Sequence, residues 1–114
     1  MMNKRQVGSR YEDTAAAYLI KNGYTILQKN FRCRQGEIDL VGREGRYLVF
    51  IEVKYRRDEG AGDPALAVNE LKQNRIRQTA RYYLYSHGYG EDTPCRFDVV
   101  SILGEEIRLI RDAF

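Results

Sequence analysis

The fold is decided by residues 36–55, which read GEIDLVGREGRYLVFIEVKY. This stretch contains two apolar runs rich in Val, Ile, Leu and Phe, with the turn signal Glu44-Gly45 between them. The pattern predicts two antiparallel strands, Glu37 to Gly42 and Tyr47 to Tyr55, joined by a hairpin loop. Because strands this apolar are usually buried, we expect the apolar face of the hairpin to be buried.

Charged residues interrupt these strands at four positions: Glu37, Asp39, Glu52 and Lys54. Side chains alternate along a strand, so Glu37 and Asp39 are expected on one face, as are Glu52 and Lys54. With Glu44-Gly45 as a two-residue loop, Asp39 faces Phe50 and lies diagonal to Glu52. That register places all four charged groups on the same face of the hairpin.

Three carboxylates would therefore share a face with a single lysine. Like charges so close together repel one another unless a cation binds among them. Mg²⁺ suits such a place, because it takes one or two carboxylates together with waters and a phosphate oxygen. A cross-strand salt bridge from Lys54 to Glu37 or Asp39 explains the same residues without a metal, and the pattern alone leaves both interpretations open.

Length and composition are those of an ordinary globular domain. The chain has 114 residues, of which 43% are hydrophobic and 31% charged, so one domain spanning residues 1–114 is predicted. The longest apolar run, Ala15 to Ile20, is too short to cross a membrane. Arg10, Glu12 and Asp13 stand where a signal peptide needs apolar residues, which predicts a cytoplasmic protein.

Cysteine and histidine are scarce. Cys33 and Cys95 lie far apart, so neither a disulfide framework nor a zinc site is indicated. The single histidine, His87, precedes Gly88 and is expected to end a helix rather than to act in catalysis. An enzyme of this composition would use carboxylates, lysine and a hard metal ion.

The other elements predicted, in chain order, are a helix from Ser9 to about Asn22, a strand from Tyr24 to Arg32, a polar loop from Arg56 to Asp63, a helix from Asp63-Pro64 to about His87, and strands from Phe97 to Leu103 and from Glu106 to Ile110. The resulting order, αβββαββ, predicts an α/β fold in which helices pack against a mixed sheet.

Positive charge is concentrated in the second predicted helix. Residues 71–90 hold four basic side chains and no acidic one, and tyrosines are interleaved with them, although the net charge of the whole chain is only +3. Such a surplus favours a polyanionic partner. A solvated basic face, with the tyrosines packed on the sheet, explains the composition equally well.

Asp39, Glu52 and Lys54 resemble the D…ExK core of the PD-(D/E)xK nuclease superfamily. More closely, the chain is similar to the YraN family of predicted bacterial nucleases, which is similar to archaeal Holliday junction resolvases. The matching stretches are Gly8 to Glu12, Asn30 to Arg32, Gly36 to Leu40, Val49 to Lys54, Lys72, and Arg96 to Val100. The proline of the superfamily name is absent, since Ile38 precedes Asp39.

The resemblance implies a restriction-endonuclease-like fold and a metal-dependent endonuclease that acts on branched or flapped DNA. Asp39 and Glu52 would bind Mg²⁺ or Mn²⁺ together with the carbonyl of Val53. Lys54 would orient or deprotonate the attacking water, or neutralise charge in the transition state. Glu12 would be an additional ligand, although Ser9 and Glu12 also have the spacing of a capping box.

Further roles are expected around this core. Glu37 is expected to orient Lys54, and Asp98 to pair with an arginine. A homodimer is implied, because resolvases of similar fold cut symmetric junctions. The residues expected to contact phosphates are Lys72, Arg75, Arg77, Arg56 and Arg57.

Three alternatives remain open on the sequence. The first is a module of the same fold that binds nucleic acid without cleaving it, although the intact Asp39, Glu52 and Lys54 argue against it. RNA could replace DNA as the substrate, since phosphate contacts do not distinguish the sugars. An adaptor whose basic helix binds an acidic protein belongs to a different functional class, and would show no affinity for DNA.

Overall fold

The computed structural model describes residues 4–56 and 68–114, with side chains from residue 10 onward. Its elements are α1 (Lys4–Lys21), β1 (Thr25–Cys33), β2 (Gly36–Glu44), β3 (Tyr47–Arg56), α2 (Glu70–Ser86), β4 (Cys95–Leu103) and β5 (Glu106–Ile110). The predicted order αβββαββ and the mixed α/β class are confirmed. No helix of the described part is both long enough and apolar enough to cross a membrane.

The five strands form one sheet in the order β1-β2-β3-β4-β5. Neighbouring strands are antiparallel except β3 and β4, which are parallel. A parallel pair needs a long crossover connection, and the segment between β3 and β4 that contains α2 supplies it. The strand β3 lies in the middle of the sheet.

The β2–β3 hairpin has a register two residues away from the one predicted. Glu44 lies opposite Tyr47, so the loop is Gly45-Arg46 rather than Glu44-Gly45. Gly45 has a φ of +58°, which suits the first position of a tight hairpin loop and is costly for other residues. A shift of two residues preserves the faces, but it brings Asp39 directly across from Glu52 instead of diagonal to it.

One helix covers each face of the sheet. On the α1 side the core contains Ala15, Ala16, Leu19, Tyr24, Leu40, Val49, Ile51, Val100 and Ile102. On the α2 side it contains Phe31, Ile38, Val41, Leu48, Phe50, Val68, Ile76, Ala80, Tyr83 and Val99. Burial on both faces explains why the central strands are almost continuously apolar.

The structure shows other helix starts than those predicted. The helix α1 begins at Lys4, so Ser9 lies inside it and is not its N-cap. The helix α2 is capped by Asn69, whose side chain accepts a hydrogen bond from the backbone N–H of Lys72 at 2.9 Å. The start predicted at Asp63-Pro64 lies outside the described residues. The predicted ends fit better, because Gly23 and Gly88 have positive φ just after the two helices, as C-terminal glycines do.

Candidate active site

The candidate site lies where β2 and β3 separate. Their pairing ends at Leu40 and Ile51, and the next residue beyond each of these is Asp39 or Glu52. We call these two residues the carboxylate pair; their exposed fractions are only 9% and 7%. The backbone N–H of Val53 donates a hydrogen bond to Oδ2 of Asp39 at 2.8 Å. The side chain of Asp39 thus accepts the hydrogen bond that a backbone carbonyl of β2 would accept in a regular strand pair.

The same opening makes the carbonyl of Val53 available. In an extended strand, the N–H and C=O groups of one residue point to the same side. The carbonyl of Val53 therefore points toward the gap occupied by Asp39. Two carboxylates and one carbonyl oxygen are ligands that Mg²⁺ and Mn²⁺ accept.

The alternation of side chains along β2 is interrupted at Asp39. Ile38 packs in the core on the α2 side, whereas Leu40 packs on the α1 side. In the neighbouring strand β1, Asn30 has a left-handed φ of +54° and lies between the pairs Lys29–Leu40 and Phe31–Ile38. The expectation that Glu37 and Asp39 share one face is therefore wrong.

Glu37 accordingly takes a different partner. It is exposed and forms an ion pair with Arg32 on β1 at 2.9 Å, whereas Lys54 pairs with Glu52. The expected pairing of Glu37 with Lys54 is not what the structure has. The break in β2 is the physical reason: Ile38 lies on the α2 side of the sheet, as Lys54 does, so Glu37 lies on the opposite face.

Asp39 is protonated more readily than an ordinary aspartate. Burial is the main cause that raises its pKa, to about 8, and the negative charge of Glu52 raises it further. The hydrogen bond from Val53 acts in the opposite direction, and the carboxylate of Glu12 adds a smaller upward contribution. A proton thus relieves the repulsion within the carboxylate pair when no cation is bound, and a metal ion would take the place of that proton.

Two lysines meet at the same oxygen of Glu52. The Nζ atom of Lys72 lies 2.6 Å from Oε1, and the Nζ atom of Lys54 lies 3.4 Å from it. Burial, followed by the interaction with Lys72, lowers the pKa of Lys54. For Lys72 burial also acts downward, but its interactions with Glu52 and Lys54 outweigh burial and raise the pKa. Lys54 is therefore the lysine that gives up a proton more readily.

Glu12 approaches the site from α1. Burial raises its pKa, and a hydrogen bond with the side chain of Asn30 opposes that rise. Because Ser9 is not the N-cap of α1, the capping-box explanation for Glu12 is wrong. No three His, Cys, Asp or Glu side chains of the described residues are grouped closely enough to hold a metal ion by themselves. The carboxylate pair would therefore need the Val53 carbonyl, water or phosphate to complete the coordination of an ion.

Asn30 is the contributor to this site that the sequence analysis missed. It adopts the left-handed conformation opposite the break in β2 and also holds Glu12. Asparagine tolerates that conformation better than most residues do. Its position just before Phe31, inside a predicted strand, was the available signal.

The predicted phosphate-binding residues are not all in one place. Lys72 lies at the carboxylate pair, and Arg75 is exposed one turn further along α2. Arg77 lies on another side of the helix, with its guanidinium 5.5 Å from the ring centre of Phe114. Arg56 ends β3, and Arg57 lies outside the described residues.

Asp98 has a structural environment, as expected. It is fully buried and accepts two hydrogen bonds from Arg96, each of 2.9 Å. The hydroxyl of Tyr24 and the backbone N–H of Asp112 also donate to it, at 2.7 and 2.9 Å. The predicted pairing with an arginine is confirmed, and it ties β4 to the residues that follow β5.

Residues 11–102 match the family described as "Uncharacterised protein family UPF0102". A UPF0102 protein of Lachnoclostridium phytofermentans is 56% identical over 113 residues, which cover 99% of this chain and 96% of that protein. A UPF0102 protein of Shewanella amazonensis is 45% identical, with 94% of this chain and 97% of that protein covered. The UPF0102 protein YraN of Escherichia coli is 44% identical, with 99% of this chain and 87% of that protein covered. The chain therefore belongs to the UPF0102 family, the family of YraN.

Proposed function

We propose that this protein is a metal-dependent endonuclease that hydrolyses phosphodiester bonds in branched or flapped DNA. One observation carries the proposal: two buried carboxylates face each other where two strands separate, and two lysines converge on one of them. Buried carboxylates that repel one another are costly unless a cation binds between them. The five-stranded mixed sheet with a helix on each face is compatible with the restriction-endonuclease-like fold that the D…ExK resemblance implies.

The donor set fits Mg²⁺ or Mn²⁺. Asp39 and Glu52 would supply carboxylate oxygens, and Val53 would supply its carbonyl oxygen. When bound, the ion polarises the scissile phosphate and lowers the pKa of the attacking water. Glu12 carries negative charge close enough to Asp39 to raise its pKa, so it would act on the ion through water rather than directly.

The two lysines would divide the remaining work. Both ammonium groups share one oxygen of Glu52, so a lysine would be free to face the phosphate if Glu52 held a cation. Lys72 keeps its proton more firmly and suits a nonbridging phosphate oxygen. Lys54 has the lowered pKa and sits two residues from Glu52 on the same strand, so it would orient the attacking water or accept its proton.

A cleavage assay tests the proposal. Purified protein is incubated with branched, flapped, single-stranded and duplex DNA of the same sequence, with Mg²⁺ or Mn²⁺. We expect the branched or flapped substrate to be cut fastest, and cutting to stop in a chelator and in Asp39→Asn. Asp13→Asn is the matched control, because Asp13 is exposed on α1 and pairs with Lys29.

Two outcomes would contradict the proposal. Cleavage by Asp39→Asn at the wild-type rate would place the chemistry elsewhere. Tight DNA binding with no cleavage of any substrate would favour the non-cleaving module instead. Matched RNA substrates in the same assay decide between the two sugars.

A further inference from the structure

A groove lies beside the second half of α2, next to the start of β4. Its volume is about 670 Å³, within the range of small-molecule sites. Phe50 and Phe97 lie at its base, Arg81 and Tyr85 come from α2, and Tyr89 comes from the turn that follows. The helix α2 packs mainly over β1 and β2, and the partly exposed residues Cys95 and Phe97 at the start of β4 lie beside it. We call this feature the aromatic groove.

Rings line the aromatic groove at several depths. Phe50, which is buried, stacks on Phe97 with ring centres 5.7 Å apart, and Phe97 also stacks on Phe114 at 5.2 Å. At the rim, Tyr85 is 83% exposed, the largest exposed fraction among the bulky apolar side chains of the described residues. Every nucleobase has a face that can stack on such an exposed ring.

The charge of the groove suits phosphate. Arg77 and Arg81 line it against a single acidic residue, Glu91. The hydroxyl of Tyr89, at the same groove, lies 3.3 Å from the guanidinium of Arg43. Cationic side chains alternating with exposed rings are the usual surface for single-stranded nucleic acid, which needs phosphate contacts and stacking together.

The aromatic groove and the carboxylate pair lie along the same helix. Lys72, whose Nζ atom contacts Glu52, lies in the first turn of α2, whereas Arg81 and Tyr85 lie near the end of the helix. At 1.5 Å per residue, Arg81 and Tyr85 are about 14 and 20 Å from Lys72 along the helix axis. At about 3.4 Å per nucleotide, a strand of about six nucleotides spans the longer distance, so one strand can reach from the groove to the site.

We propose that the aromatic groove binds an unpaired nucleotide of the substrate, with its base stacked on Tyr85 and its phosphate on Arg81. The inference rests on the proposed endonuclease function and adds that the substrate carries an unpaired stretch several nucleotides away from the phosphate that is cut. An adaptor surface for an acidic peptide would need the arginines but would gain less from the exposed ring of Tyr85.

Binding measured without metal tests the proposal separately from cleavage. Fluorescence anisotropy in a chelator compares a labelled single strand of eight thymidines with a blunt duplex. Tyr85→Ala should weaken single-strand binding about five- to a hundredfold, the loss of one stacked base, and leave duplex binding unchanged. Arg81→Ala should reduce the slope of log affinity against log salt by about 0.7 on the single strand.

Two controls match these variants. Tyr82→Ala removes a tyrosine of the same helix that is 43% exposed and does not line the groove. Arg108→Ala removes an exposed arginine from β5, outside the groove. Both should bind the single strand as the wild type does, and melting temperatures confirm that every variant is folded.

The proposal is overturned if Tyr85→Ala binds the single strand as tightly as wild type, or if it loses single strand and duplex equally. If single-strand binding depends on Tyr85 but the protein cleaves no substrate, the endonuclease function is wrong and the aromatic groove still binds a nucleotide. If Tyr85→Ala binds and cleaves flaps as the wild type does, the proposal for the aromatic groove is wrong and the endonuclease function stands. The affinity for a strand of eight uridines, compared in the same assay with that for eight thymidines, shows whether the groove prefers RNA or DNA.

Discussion

Replacing Asp39 with asparagine should stabilise the metal-free protein at neutral pH, even though Asp39 is a candidate catalytic residue. In the folded protein, burial and the neighbouring Glu52 raise the pKa of Asp39 from 3.8 to about 8. In the unfolded chain the ordinary value returns. Between these two pH values the folded state holds a proton that the unfolded state has lost, so the free energy of unfolding falls as the pH rises.

The size of the effect follows from the shift. One pH unit corresponds to about 1.4 kcal/mol, and pH 7 lies about three units above the unfolded pKa, which gives up to about 4 kcal/mol. Relaxation and water penetration reduce such burial penalties, so we expect about 2–4 kcal/mol. Asparagine does not ionise, and its amide oxygen can still accept the hydrogen bond from Val53. Even 2 kcal/mol would raise the melting temperature by roughly 8 °C in a domain of this size.

Urea denaturation in a chelator at pH 5, 6, 7 and 8 measures this difference. The stability gap between Asp39→Asn and wild type should be small at pH 5 and widen with each pH unit. Asp13→Asn, which loses only a surface ion pair with Lys29, should stay within about 1 kcal/mol of wild type at every pH. If wild type and Asp39→Asn lose stability in parallel across this range, the reasoning about the carboxylate pair is wrong.

Two further predictions concern the basic residues. Lys54→Ala should lower the single-turnover cleavage rate about a hundredfold or more and change DNA affinity little, because the amine acts on groups whose charge grows in the transition state. If Lys54→Ala has a lower melting temperature but cleaves at the wild-type rate, Lys54 serves only as a counter-ion of Glu52. Arg75→Ala should reduce the salt slope of duplex binding by about 0.9, and the triple alanine variant at Lys72, Arg75 and Arg77 by up to about 2.7. An unchanged slope in the triple variant would mean that the DNA lies elsewhere.

The hairpin and the nearness of Asp39 to Glu52 were predictable, because both follow from apolar runs, a turn signal and the twofold period of strands. The break in β2 was not predictable in this way. It depends on the left-handed Asn30 in a different strand, and a local pattern in β2 carries no information about it. For that reason Glu37 was placed beside Lys54, whereas it pairs with Arg32.

The role of Lys72 shows a second limit. The sequence places it near the start of a basic helix, which indicates a phosphate contact. Its ion pair with Glu52 depends on where the first turn of α2 meets the sheet, and tertiary packing decides that. The start of α2 is a related case, since Asp63-Pro64 and Asn69 are both good start signals. The burial of Val68, which is 1% exposed, fixes the chain just before Asn69.

The claim that Asp39 and Glu52 together bind a divalent cation is tested most directly by calorimetric titration with Mn²⁺ and Mg²⁺. Wild type and the control Asp13→Asn should bind one ion with the same affinity. Asp39→Asn should show no measurable binding while remaining folded, because one of the two carboxylates expected to contact the ion directly has lost its charge. Mn²⁺ affinity in Asp39→Asn equal to that of wild type would contradict the account.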